Sequence, residues 1–292
     1  MAEWKDKNVL ITGASSGIGE AFAHQLAAEG ANLAITSRSL DKLQVLAEKL
    51  RGKYGIKVEV VTSDLAAPTG ARRLAEALSN RDFAVDLLIN NAGFGARGEF
   101  SDLSIARQLE MIQVNVSSLV ELTHLFLPEM KARRSGAILN VASTASFQAV
   151  PYFAVYGATK AFVLSFSEAL WFEYKDFGIR VTALCPGSTA TNFQQVAGSQ
   201  TINGPRVVQT SEEVAAIGLA ALAAGRSSVV SGMSNRFQSK AQRLLHRQRA
   251  RGDGPLRRAL DVAVEVAVCH VVDAAAGAAH EDGAGHEHRQ QV

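Results

Sequence analysis

The sequence predicts an α/β fold, a single doubly wound parallel sheet of about seven strands with helices on both faces. Three features carry this expectation. Short β-branched runs alternate with longer helical patterns from the first residues to about position 232. The runs are apolar throughout, as strands covered on both faces are, and do not alternate with polar residues. Strand–helix alternation in turn implies right-handed crossovers that lay successive strands side by side.

The first strand, NVLIT (8–12), runs into Gly13-Ala-Ser15-Ser16-Gly17-Ile18-Gly19. Glycines let the backbone turn tightly and approach a pyrophosphate, whose charge is met by N–H groups at a helix N-terminus. A turn of this kind directly after a first strand favours nucleotide binding over an ordinary strand-to-helix connection. The helix GEAFAHQLAAEG (19–30) follows and stops at Gly30, as a helix stop should. The second strand, ANLAITS (31–37), leads to Arg38-Ser39, with no carboxylate until Asp41. An NAD site would carry an acidic residue here, whereas a guanidinium suits a 2′-phosphate. The expected cofactor is therefore NADP(H), with NAD(H) second; the plain alternative is a surface Arg at a helix start. After the third strand, KVEVVTS (57–63), Asp64-Leu65 is expected beside the adenine, although Asp64 alone would pass for a helix cap. The remaining strands are VDLLINN (85–91), AILNVAS (137–143), RVTALCP (180–186) and SVVSG (228–232). A capping box at Thr210-x-x-Glu213 opens a core helix through AAIGLAALAA (215–224). Ligands of such sheets bind beyond the carboxyl ends of the strands, at the switch point.

Composition narrows the function classes. The 292 residues are 47% hydrophobic and 20% charged, with a formal net charge of +2. That is enough apolar material for a substantial core, and it gives no reason to expect a nucleic acid partner. No run reaches the ~18 apolar residues of a membrane span, and the start lacks a signal-peptide pattern. Only Cys185 and Cys269 are present, far apart in sequence, so no disulfide framework or zinc pattern is visible. A soluble, cytoplasmic protein is expected. Cys185, just before Pro186, reads as a buried core thiol.

The stretch Tyr156-Gly-Ala-Thr-Lys160 sits in a helical run, so the phenol and the ammonium share a helix face. A nearby cation can lower a phenol's pKa from about 10. Alternatively, Tyr156 is a half-buried aromatic and Lys160 a solvated charge. Ser143 ends a strand, where its hydroxyl can orient a carbonyl or simply cap the next turn. Asn115 is a poor helix former inside a helical run, and on residue type alone it is a packing Asn.

Taken together, TGASSGIG, Asn90-Asn91-Ala92-Gly93, Asn115, Ser143, YGATK and Pro186-Gly187 resemble the classical short-chain dehydrogenase/reductases over about residues 5–235. The resemblance implies a Rossmann-type fold and an oxidoreductase acting between NADP(H) and a carbonyl or secondary alcohol. It implies that Tyr156 is the general acid or base, and that Lys160 lowers its pKa and holds the nicotinamide ribose. Ser143 would orient the carbonyl, while Asn115 would bend its helix and hold a proton-relay water. Asn91, Ala92, Gly93, Pro186, Gly187, Thr189 and Thr191 would line the cofactor, and a homodimer or homotetramer is expected. The alternative is a non-catalytic NADP(H)-binding regulator, which would typically have lost the Tyr or the Lys.

The resemblance places a substrate lid at 192–210. With Phe94, Phe147, Tyr152 and Phe153 nearby, the pocket reads as apolar, suited to a medium-sized ketone, aldehyde or alcohol, with a 3-oxoacyl thioester as runner-up. The catalytic domain is expected over 1–235, followed by a poorly ordered tail over 236–292. The Arg-rich stretch 236–258 could form a basic amphipathic helix, but a solvated tail is the expectation. Beyond about 259 the composition does not fit the core and reads as a disordered or frame-slipped terminus. His280, His286 and His288 resemble metal ligands only by composition, and no metal is expected.

Overall fold

The computed structural model describes residues 3–191, 193–198, 208–233, 235–237 and 239. The frame-slip expectation, Cys269, the three histidines and most of the 192–210 and 236–258 segments lie outside the described residues. Seven parallel strands form one sheet in the order β3-β2-β1-β4-β5-β6-β7. They are β1 Asn8–Thr12, β2 Asn32–Thr36, β3 Val58–Val60, β4 Leu87–Asn90, β5 Gly136–Val141, β6 Ile179–Cys185 and β7 Ser228–Val230. Every expected strand is present. β3 is shorter than its apolar run because it is an edge strand, although Val61 and Ser63 still donate to Ile35 and Ser37.

The helices are α1 Gly17–Ala28, α2 Leu40–Tyr54, α3 Gly70–Ser79, α4 Ile105–Ile112, α5 Ser118–Arg133, α6 Ala154–Tyr174, α7 Phe193–Val196 and α8 Ser211–Ala223. Side chains alternate across a strand, so successive residues feed opposite layers. Val9, Ile11, Leu33 and Leu139 pack with Phe22, Leu26, Leu46 and Leu222 of α1, α2 and α8. Leu10, Leu88, Ile138 and Val181 pack with Leu74, Leu122, Met130 and Leu170 of α3, α5 and α6. Their near-complete burial explains why the runs read as continuously apolar. At the start of α8, the Thr210 hydroxyl accepts from Glu213 N (3.1 Å) and the Glu213 carboxylate accepts from Thr210 N (3.0 Å), which completes the expected capping box.

The chain goes outward through β2 and β3 and returns to β4 on the other side of β1. The switch point therefore lies between the ends of β1 and β4, where a crevice opens. No described helix is long and apolar enough to cross a membrane.

Candidate active site

The crevice is built by two loops bonded to each other. Thr12 Oγ1 accepts from the backbone N–H of Asn91 and Ala92 at 3.0 and 2.9 Å. Asn91 Nδ2 donates back to the carbonyls of Thr12 (2.9 Å) and Gly13 (3.1 Å). Gly13 needs its positive φ of +66°, and a Cβ there would come within 2.9 Å of Ala92 Cα. A Cβ on Gly19 would sit on the Gly13 carbonyl oxygen, so the turn closes only with glycine. Ser16 precedes α1 without making a side-chain cap bond, which leaves the first-turn N–H groups without that partner. Across the turn, the Thr191 methyl lies 3.0 Å from where a Gly17 Cβ would be. This narrow cradle of free N–H groups and absent Cβ atoms fits a dinucleotide pyrophosphate. Ser15 and Ile18 complete the turn, with Ile18 packed onto the core.

Farther along the same edge, Arg38 is 64% exposed just beyond β2. Asp64 is exposed and its Oδ1 accepts from Ala66 N (3.0 Å), so it caps a turn and not a helix. Leu65 is buried, and its carbonyl accepts from the Ser118 hydroxyl (2.6 Å). On the opposite wall, the Pro186 carbonyl accepts from Thr144 N (2.9 Å), and Thr189 Oγ1 donates to the Gly187 carbonyl (3.1 Å). Thr189 and Gln209 form an isolated parallel bridge.

The polar centre stands at the ends of β5 and α6. Tyr156 and Lys160 occupy one face of α6, and the Ser143 hydroxyl favours the ionised form of the Tyr156 phenol. Ser143 Oγ accepts from Ala145 N (3.1 Å), the turn-capping bond considered for it from sequence. Lys160 is 5% exposed, and its Nζ donates to the Val141 carbonyl (2.7 Å). Gly93 borders both Lys160 and Asn115, with a Cβ there 3.4 Å from Lys160 Nζ and 2.9 Å from Asn115 Oδ1. Asn115 sits in a π-helical turn, Gln113–Ser117, that joins α4 to α5. Its amide accepts from Phe94 N (3.1 Å) and donates to Phe94 O (3.0 Å) and Thr159 Oγ1 (3.1 Å).

In the chain without cofactor, burial works against the expected lowering of the Tyr156 pKa. Burial pushes the Tyr156 phenol up to about 12, opposed by the Ser143 hydrogen bond. Burial pulls Lys160 down to about 8, opposed by Cys185. The cost of desolvating each charge outweighs their attraction, and Lys160 Nζ lies 5.9 Å from the Tyr156 ring centre. Solvent still reaches part of the Tyr156 ring, which tempers the upward push. The chain alone does not bring the phenol toward neutrality.

Of the expected pocket aromatics, Phe153 packs edge-on to Tyr156 at 5.7 Å and Phe94 is buried. Phe147 packs into the core on the other side of the site, beside Leu119 and Val163, while Tyr152 is 55% exposed. Sequence reasoning missed Phe193, whose ring lies 5.3 Å from Tyr156 and roofs it. Gly95 permits this, since a Cβ there would come within 2.9 Å of Phe193. It also missed Thr159 and Glu110, which no local pattern marks. Cys185 is a buried core thiol as expected, and no described residues group as metal ligands.

Comparisons with known proteins agree with this geometry. Residues 7–201 match the family described as short chain dehydrogenase. The chain is 36% identical to rat (Rattus norvegicus) 17-beta-hydroxysteroid dehydrogenase type 3, covering 73% of this chain and 67% of that protein. It is 33% identical to mouse (Mus musculus) very-long-chain 3-oxoacyl-CoA reductase, over 67% of this chain and 62% of that protein. Among solved structures, a short-chain dehydrogenase from Sphingobium yanoikuyae in complex with NADPH superposes with a TM-score of 0.75 at 30% identity. That match covers 85% of this chain and 96% of the other. With a family match over residues 7–201 and this structural likeness, the chain belongs to the short-chain dehydrogenases, a family of nucleotide-binding oxidoreductases.

Proposed function

We propose that the protein is an NADP(H)-dependent oxidoreductase that interconverts a carbonyl and a secondary alcohol, with Tyr156 as general acid or base. One observation carries the reading: the buried ammonium of Lys160, held by the Val141 carbonyl, lies 5.9 Å from the Tyr156 ring centre on one helix face, next to the end of β5 that carries Ser143, at the carboxyl end of the sheet. The bound nicotinamide would give or take the hydride. In reduction, Tyr156 hands its proton to the carbonyl oxygen, and Ser143 donates to that oxygen as charge builds on it. Lys160 holds a positive charge close to the phenolate that results, and its low pKa eases proton return through the site. Asn115 fixes the Phe94 backbone and Thr159, which keeps α6 in register with the crevice.

Gly13 to Gly19, Asn91 to Gly93, Pro186, Gly187, Thr189 and Thr191 would hold the dinucleotide, with Asp64 and Leu65 toward the adenine. Arg38 would take the 2′-phosphate, and the NADPH complex of the similar bacterial enzyme supports that choice. The apolar wall of Phe94, Phe153 and Phe193 favours a bulky, uncharged ketone or alcohol. The names of the two mammalian relatives, a hydroxysteroid dehydrogenase and a 3-oxoacyl-CoA reductase, support that class. A homodimer or homotetramer completes the reading, supported by Ile105 and Leu109, exposed one turn apart on α4, and by Phe162 on α6. A cytoplasmic setting and a catalytic domain over 1–235 go with it.

NADPH oxidation against a panel of steroid ketones and 3-oxoacyl thioesters tests the reading. Tyr156→Phe should abolish turnover and leave NADPH affinity nearly unchanged. Weakened binding with the turnover of the bound enzyme preserved would refute the role given to Tyr156.

A further inference from the structure

The end of β2 offers no carboxylate of its own before Asp41, yet the fold brings one there from another element. Glu110, on α4, holds Oε1 3.6 Å from Arg38 Nη1. Its other oxygen accepts from Arg107 Nη1 at 2.8 Å. The Arg107 guanidinium carbon lies 3.8 Å from the centre of the Phe94 ring, and Asn115 binds both backbone groups of Phe94. Glu110 is thus pinned from behind, one link at a time, by residues that reach the polar centre. Arg38, in contrast, has a side chain that is 64% exposed and can turn toward a competing anion.

We propose that Glu110 is a specificity-determining residue for the cofactor: its carboxylate opposes a 2′-phosphate on Arg38 and narrows the preference for NADP(H) over NAD(H). The proposal rests on the reading of Arg38 as the phosphate partner. A phosphate monoester near neutral pH carries close to two negative charges, and any phosphate on Arg38 lies beside the Glu110 carboxylate. If Arg38 instead turns away to hold the phosphate, it gives up its own contact with Glu110. Arg107 remains with Glu110, so the carboxylate keeps its place and its charge. A cofactor with a free 2′-hydroxyl meets no such repulsion.

The test is a fluorescence titration of the full-length protein with NADPH and with NADH, for wild type, Glu110→Gln and Arg38→Ala, at low and high salt. Glu110→Gln should tighten NADPH about fivefold at low salt, leave NADH within about twofold, and lose most of this gain as salt screens the charges. Unchanged or weaker NADPH binding in Glu110→Gln overturns the proposal. So does equal weakening of both nucleotides, which would make Glu110 a prop for Phe94. If Arg38→Ala loses the NADPH preference while Glu110→Gln changes nothing, the proposal alone fails. If Arg38→Ala leaves the ratio of the two affinities unchanged, the Arg38 reading fails and takes the proposal with it.

Discussion

Replacing Lys160 with Met removes the charge most expensive to bury and makes the cost of the site measurable. In the folded protein Lys160 is pulled from 10.5 to about 8 by burial. At about 1.4 kcal/mol per pKa unit this is roughly 3 kcal/mol. The folded value lies below the unfolded one, so the unfolded chain binds the proton more tightly. Stability is therefore fullest above 10.5, declines as pH falls, and carries the whole cost below about 8. Tyr156 has the opposite sign: its contribution is intact below 10 and is lost as pH rises toward about 12. Between pH 8 and 10 the Lys160 effect stands nearly alone. Met also loses the bond from Nζ to the Val141 carbonyl, at a cost of about 1–2 kcal/mol. Lys160→Met should thus be about 1–2 kcal/mol more stable than wild type at pH 7 and less stable at pH 10. Urea unfolding of the cofactor-free protein, followed by the fluorescence of Trp4 and Trp171 across that range, measures the difference. A difference of constant sign and size at both pH values would refute the argument, since it would mean that the ammonium bears no burial cost.

Gly19→Ala places a methyl on the Gly13 carbonyl, so dinucleotide affinity should fall at least tenfold, read by fluorescence titration. Asn115→Ala leaves the buried N–H and C=O of Phe94 without partners and should cost about 2–4 kcal/mol in urea unfolding. Thr210→Ala breaks the capping box of α8 and should cost about 1 kcal/mol while leaving cofactor affinity intact.

The sheet was legible because its central strands are buried on both faces. Leu10, Ile11, Leu88 and Leu139 leave no polar alternation to confuse the pattern. The glycine turn and the Tyr156–Lys160 spacing were legible because backbone conformation and helix geometry are local properties. What stayed hidden depends on contacts between distant segments. Nothing near Arg38 announces Glu110, 72 positions along the chain, and nothing near Tyr156 announces the roof formed by Phe193. The burial cost at Tyr156 and Lys160 stayed hidden for a related reason. The pair's attraction can be read from spacing, whereas the cost of burial depends on everything packed around it. Asn115 shows both sides: its residue type marks an irregularity in the helix, and its partners emerge only when Phe94 and Thr159 are in place.

On the proposed mechanism Tyr156 exchanges the substrate proton, and this half-buried phenol becomes a usable acid and base only with oxidised cofactor beside it. Tyrosinate absorbance, titrated for wild type minus Tyr156→Phe with and without NADP+, tests this directly. The account predicts a phenol that stays protonated toward about 12 in the bare protein and ionises several units lower with NADP+ bound. An identical titration in both states, from a protein shown to bind NADP+, would contradict it.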